Sequence, residues 1–102
     1  MTQLSQSVTL EFDNDVALIR IDNPPVNALS HHVRQGLLDG MTQAENSDAT
    51  AIVVICEGRT FIAGADITEF SGPPKPPSLQ EAQDAMENCS KPVIAAVHGT
   101  AL

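Results

Sequence analysis

The residues in this chain best suited to chemistry are small ones. Ala63-Gly64-Ala65-Asp66 leaves the backbone open to close approach, and a helix starting there would turn unpaired amide N–H groups toward a ligand. Such amides stabilise negative charge that develops on a carbonyl oxygen along a reaction path, which is the physics of an oxyanion hole. Composition alone leaves a second reading open, a tight strand-to-helix turn with no ligand. The usual catalytic side chains say less. Glu69 could face a pocket, but a helical Glu is more often solvated. His98 stands at a strand end with no visible partner, and a single such His is more often structural. His31 and His32 open a helix and are expected to face solvent, and Cys56 reads as buried filler. Arg59 and Lys75 are loop cations that could pair with phosphates or simply be hydrated.

Composition limits what such a site could bind. Thirteen acidic residues against five basic ones give a net charge of -8, which repels polyphosphate backbones at long range and argues against nucleic acid as a partner. A local phosphate site remains compatible with that charge, because a few amides or cations suffice. Cys56 and Cys89 lie far apart, without the close pairs of a zinc or redox motif, so free thiols in a reducing cytoplasm are expected. No segment is long and apolar enough for a transmembrane helix, and residues 1–8 lack the pattern of a signal peptide. With 102 residues and only three aromatics, all Phe, the core must be built from Val, Ile, Leu and Ala in one small domain.

The elements that must position these residues follow from periodicity. Val8, Leu10 and Phe12 alternate with polar residues, Asp13-Asn14-Asp15 supplies a turn, and Val16–Ile21 returns, which predicts an antiparallel hairpin. Asn23-Pro24-Pro25 ends the second strand. A helix is predicted from an N-cap at Ser30, with Val33, Leu37, Leu38, Met41 and Ala44 on one face and Gly36 and Gly40 lowering its intrinsic propensity. Ala51–Cys56 is an apolar, β-branched run expected to be a central strand covered on both faces. Gly72–Pro77 reads as a stiff exposed connection, and Ser78 with Glu81 forms a capping-box pattern for a second helix to about Asn88. Val93–Val97 is expected to be another buried strand. The order is that of an α/β fold with right-handed crossovers.

Three segments in this order resemble the crotonase, or enoyl-CoA hydratase/isomerase, superfamily. Asn23-Pro-Pro-Val-Asn-Ala-Leu29 is similar to its first substrate loop, Phe61-Ile-Ala-Gly-Ala-Asp-Ile67 to its first oxyanion segment, and Lys91-Pro-Val-Ile-Ala-Ala-Val-His-Gly-Thr-Ala-Leu102 to the strand leading to the second. Asn-Pro-Pro-Val-Asn-Ala-Leu-Ser and the proline-rich segment before Ser78 further resemble the hydratase half of multifunctional enzymes that also carry a 3-hydroxyacyl-CoA dehydrogenase. The resemblance implies the α/β ClpP/crotonase fold, a spiral ββα-superhelix, with residues 1–102 as the N-terminal part of a crotonase-like domain.

By position, the resemblance makes the Ala65 amide the first oxyanion donor, with Gly64 permitting close approach and Asp66 fixing the helix start. Ala63, Ala65 and Ile67 would contact coenzyme A, and Val26, Ala28 and Leu29 would form the facing loop; for Val26 and Leu29 ordinary core packing is an equal reading. The implied activity is enoyl-CoA hydration in fatty-acid β-oxidation. It needs no metal or redox cofactor, since coenzyme A arrives as part of the substrate. The family's proton-moving glutamates would lie beyond Leu102, so these residues are expected to be inactive alone. An isomerase, thioesterase or decarboxylase of the same superfamily, or a non-catalytic acyl-CoA-binding or assembly module, are the alternatives. Expected partners are an acyl-CoA thioester, the remainder of a crotonase domain and possible further copies of the chain.

Overall fold

The computed structural model describes residues 2–24, 27–58 and 76–96. Strands β1 (Thr2–Ser5), β2 (Val8–Asp13) and β3 (Val16–Ile21) lead into helix α1 (His31–Glu45). Strand β4 (Ala51–Cys56), helix α2 (Leu79–Glu87) and strand β5 (Val93–Ala95) follow. The five strands form one sheet in the order β1-β2-β3-β4-β5. β1 to β3 pair antiparallel, whereas β3-β4 and β4-β5 are parallel, an arrangement that needs the long crossovers carrying α1 and α2.

The hairpin forms as its alternation predicts. Asp13 pairs with Val16 and Val8 with Ile21, and the turn between them places Asn14 at φ 56, a conformation Asn tolerates better than most residues. This register puts Val8, Leu10, Ala17, Ile19 and Ile21 on one buried face. Parallel pairing of Ala17 with Ile52 and Ile19 with Val54 extends that face through β4. Val33, Leu37, Met41 and Ala44 of α1 cover it, joined by partly buried Ala85, Met86 and Cys89 from α2 and its end. Each fully buried Val, Leu, Ile or Met side chain here contributes about 1.5–3 kcal/mol.

Two expectations about strands need correction. β4 is central, but only Ile52, Val54 and Cys56 are buried, while Ala51, Val53 and Ile55 are half-buried, because the apolar faces of both helices gather on the first face. The segment at Val93 is not a buried strand: it lies last in the sheet order, and Ile94 is 53% exposed. Leu18, Val53 and Ile94 are cross-strand neighbours on the less covered face.

The capping box is formed as predicted. Glu81 N–H donates to Ser78 Oγ at 3.1 Å, and the Ser78 amide donates to Glu81 Oε1 at 3.3 Å. α1 begins at the predicted place, but Ser30 makes no side-chain capping bond. Its hydroxyl instead accepts from Asn23 Nδ2 at 3.2 Å.

Candidate functional site

The loop between β3 and α1 is held by two asparagines four residues apart. The Asn27 amide donates to the Asn23 carbonyl, and the Asn23 amide donates to Asn27 Oδ1, both at 2.8 Å. Asn23 Nδ2 reaches on to the Ala28 carbonyl at 2.8 Å. Asn27 adopts φ 54, is almost fully buried, and donates from Nδ2 to the Glu57 carbonyl at 2.8 Å. Side chains with a donor and an acceptor are what this closed exchange requires.

That last bond brings the loop against the carboxyl end of β4. There the Glu57 amide donates to the Ile21 carbonyl, and Gly58 leaves the strand at φ +84, a value glycine adopts without strain. The chain then proceeds to the Phe61–Ile67 segment. Ala28 and Leu29, next along the loop from Asn27, are both half-buried.

The first turn of α1 adds a second set of contacts. His31 Nε2 donates to the Pro76 carbonyl at 2.8 Å, and His32 Nδ1 lies 2.5 Å from Ser7 Oγ. Neither histidine simply faces solvent as expected, because neighbouring segments offer each ring a polar partner. Arg34, 8% exposed, donates from Nη1 to the Leu29 carbonyl at 2.7 Å and from Nε to the Pro77 carbonyl at 2.8 Å. Pro77 is accordingly buried rather than part of a wholly exposed connection.

The other described cations are also engaged. Arg20 pairs with Glu11 at 2.7 Å and Glu57 at 2.6 Å, and these side-chain hydrogen bonds raise its pKa further. Lys91 Nζ donates to the carbonyls of Ala44 and Ser47 near the end of α1. Cys56 is buried filler as expected, and desolvation pushes its thiol up to about 12. Among the described residues no group of three or more His, Cys, Asp or Glu side chains gathers in a way that could hold a metal ion. No described helix is long and apolar enough to cross a membrane.

Of the residues singled out in the sequence, Ala28 and Leu29 are brought to the end of β4. Val26, Ala63, Gly64, Ala65, Asp66 and Ile67 lie outside the described residues, as do Arg59, Glu69, Lys75 and His98. Sequence reasoning missed Asn23, Asn27 and Arg34 as the residues that build this corner. A faint signal existed for Arg34, a charge at the edge of the apolar stripe of Val33 and Leu37.

The pattern of the enoyl-CoA hydratase/isomerase family matches residues 11–102. Over 88 residues the chain is 49% identical to the peroxisomal bifunctional enzyme of Danio rerio, covering 85% of this chain and 12% of that protein. Over 104 residues it is 38% identical to a probable enoyl-CoA hydratase of Bacillus subtilis, covering 94% of this chain and 40% of that protein. Among solved structures, enoyl-CoA hydratase from Thermoplasma volcanium has a TM-score of 0.76 at 32% identity, with 93% of this chain and 41% of that one covered. The chain thus spans well under half the length of these relatives.

Proposed function

This chain belongs to the enoyl-CoA hydratase/isomerase family and has its α/β crotonase fold, and from that premise we propose that it supplies the first half of an enoyl-CoA hydratase site. In this reading the Ala65 amide is the first oxyanion donor for the thioester carbonyl. Gly64 and Asp66 shape the approach, Ala63 and Ile67 contact coenzyme A, and Val26, Ala28 and Leu29 form the facing wall. The observation that carries it is the Asn27 Nδ2 bond to the Glu57 carbonyl, which sets the Ala28–Leu29 loop at the strand exit leading to Phe61–Ile67.

Preorganised amides suit this chemistry because they stabilise charge only as the enolate forms, without reorganisation at that moment. Water addition across the 2,3 double bond also needs a positioned proton donor and acceptor. In this reading those proton-moving groups are not among residues 1–102, and these residues on their own are expected to bind acyl-CoA without appreciable turnover. Three of the five cations, Arg20, Arg34 and Lys91, are committed to carboxylates or backbone carbonyls. Arg59 and Lys75 are therefore the candidates for the coenzyme A phosphates. The substrate brings the coenzyme, and no metal or redox cofactor enters this reading.

The likeness to a bifunctional enzyme supports a role in β-oxidation beside a dehydrogenase, with the rest of a crotonase domain, and further copies of the chain, as partners. Both cysteines are free, which supports a reducing cytoplasm as its location. The test is calorimetric titration with butyryl-CoA together with loss of crotonyl-CoA absorbance. Binding without turnover is expected; concentration-dependent hydration by these residues alone would overturn the assignment of the proton-moving groups, and absence of binding would overturn the acyl-CoA site.

A further inference from the structure

Between α1 and α2 runs a groove of about 380 Å³, away from the corner built by Asn23 and Asn27. Leu38, Met41, Thr42 and Glu45 of α1 form one wall, and Glu81, Asp84, Ala85 and Asn88 of α2 the other. Both sets follow the spacing i, i+3, i+4, i+7, so each wall is a single helical stripe about 10 Å long. Met41 is buried and Leu38 and Ala85 are half-buried, which gives the groove an apolar floor; Glu45 and Glu81 are exposed and Asp84 half-buried at its margins. These carboxylates accept from neutral donors, Glu45 from the Ser90 amide, Asp84 from Gln80 Nε2 and Glu81 from the Ser78 amide. Among the described residues none of the three forms an ion pair, although Lys91 acts on Glu45 through space.

We propose that this groove takes a cationic amphipathic helix of a partner protein, with apolar side chains on Leu38, Met41 and Ala85 and lysine or arginine side chains beside Glu45, Glu81 and Asp84. The shape favours a helix, since two facing stripes are what a third helix packs its own ridge between. The charge favours a basic one. The carboxylates are spread along the groove rather than gathered on one point, which suits several spaced cations and not a metal ion; no described group of His, Cys, Asp and Glu could hold one. A second copy of this chain would bring its own net charge of -8 to the same carboxylates, so like charge opposes it. The proposal does not depend on the acyl-CoA reading.

The probe is a fluorescent synthetic helix with a leucine stripe flanked by lysines. One comparison peptide keeps the lysines and carries glutamine for leucine, and another keeps the leucines and carries glutamate for lysine. Anisotropy titrations against the whole 102-residue chain measure affinity, and amide chemical shifts locate the contact. The leucine-lysine peptide is expected to shift amides of residues 38–45 and 81–88, and each comparison peptide to bind at least about tenfold more weakly. Glu45→Gln combined with Asp84→Asn should weaken the leucine-lysine peptide about tenfold. Asp13→Asn combined with Asp15→Asn, the same loss of charge at the exposed β2-β3 turn, should change it less than about twofold. Ala85→Arg, which puts a bulky cation into the groove, should prevent binding.

Absence of binding by the leucine-lysine peptide would overturn the proposal, and so would shifts confined to other elements. Equal binding of the glutamine peptide, or equal effects of the two double variants, would reduce the attraction to diffuse charge and overturn it as well. A dimer in sedimentation that Ala85→Arg dissolves would assign the groove to a second copy instead. Far-UV circular dichroism checks folding of every variant. If the groove double variant does not fold, Glu45→Gln alone decides: about threefold weaker binding is expected, and unaltered affinity overturns the proposal.

Discussion

Gly36 of α1 lies so close to Val8 of β2 that a Cβ built on the glycine would stand 2.5 Å from the valine Cβ. Gly36→Ala must therefore push helix and sheet apart. A destabilisation of about 1–3 kcal/mol is expected from such overpacking, larger than the gain of about 1 kcal/mol in helix propensity. At Gly40 the nearest atoms are the side-chain ends of Ile19 and Leu4 at 3.1 Å, which can shift, so Gly40→Ala should be close to neutral. Urea unfolding midpoints of the two variants check the contrast.

Asn27 combines a positive φ with both a donating and an accepting side chain. Asn27→Ala should cost about 3 kcal/mol, from backbone strain of about 1–2 kcal/mol plus lost hydrogen bonds. Asn27→Gly relieves the strain but not the bonds, so it should be the less damaged variant. Thermal unfolding of both chains separates the two contributions.

Lys91 places its ammonium on two carbonyls near the end of α1, where no basic residue of the helix's own last turn does so. A cation there is favoured by the helix dipole. Lys91→Met should lower stability by about 1–2 kcal/mol. The loss should persist in high salt if it comes from the direct bonds and shrink if it comes from the dipole, which denaturation at two ionic strengths reads directly.

The Glu45 carboxylate accepts from the Ser90 amide at 2.9 Å, and that bond holds its pKa below the ordinary value. A carboxyl whose folded pKa is depressed adds stability above its unfolded pKa and loses it as pH falls through the folded one. Glu45→Gln should therefore flatten the acid limb of a stability-pH curve while leaving its slope near neutrality unchanged. Urea unfolding of both chains from neutral to acidic pH is the measurement.

Cys56 should resist alkylation in the folded chain at mildly alkaline pH, because its thiol is pushed up to about 12 by desolvation and is buried on the core face. Labelling should appear only on unfolding. Since the unfolded thiol ionises at lower pH than the folded one, the resulting stability is intact below the unfolded pKa and is lost as pH rises toward the folded value. Mass spectrometry of iodoacetamide adducts, with and without urea, tests the protection.

Alternation made the β2-β3 hairpin legible, and a single apolar stripe did the same for α1. β1 was not legible, since Thr-Gln-Leu-Ser has no strand signature and its pairing depends on the edge that β2 offers. The one-sided cover of β4 was equally hidden, because an unbroken apolar run does not say which face a helix takes. At the site, the family segments could be read, but not what ties them together. Arg34 donates to the carbonyls of Leu29 and Pro77, and a backbone acceptor leaves no mark in the sequence. Asn27 and Glu57 meet across thirty positions through a backbone carbonyl in the same way.

The sheet order repeats the chain order, so each strand adds beside the one made just before it. During synthesis from the amino end, each of these five strands would find its template already in place, and none of the five would have to be inserted between two finished neighbours. A nascent chain can then grow its sheet by accretion at one margin, with the ribosome still holding the part that has yet to join.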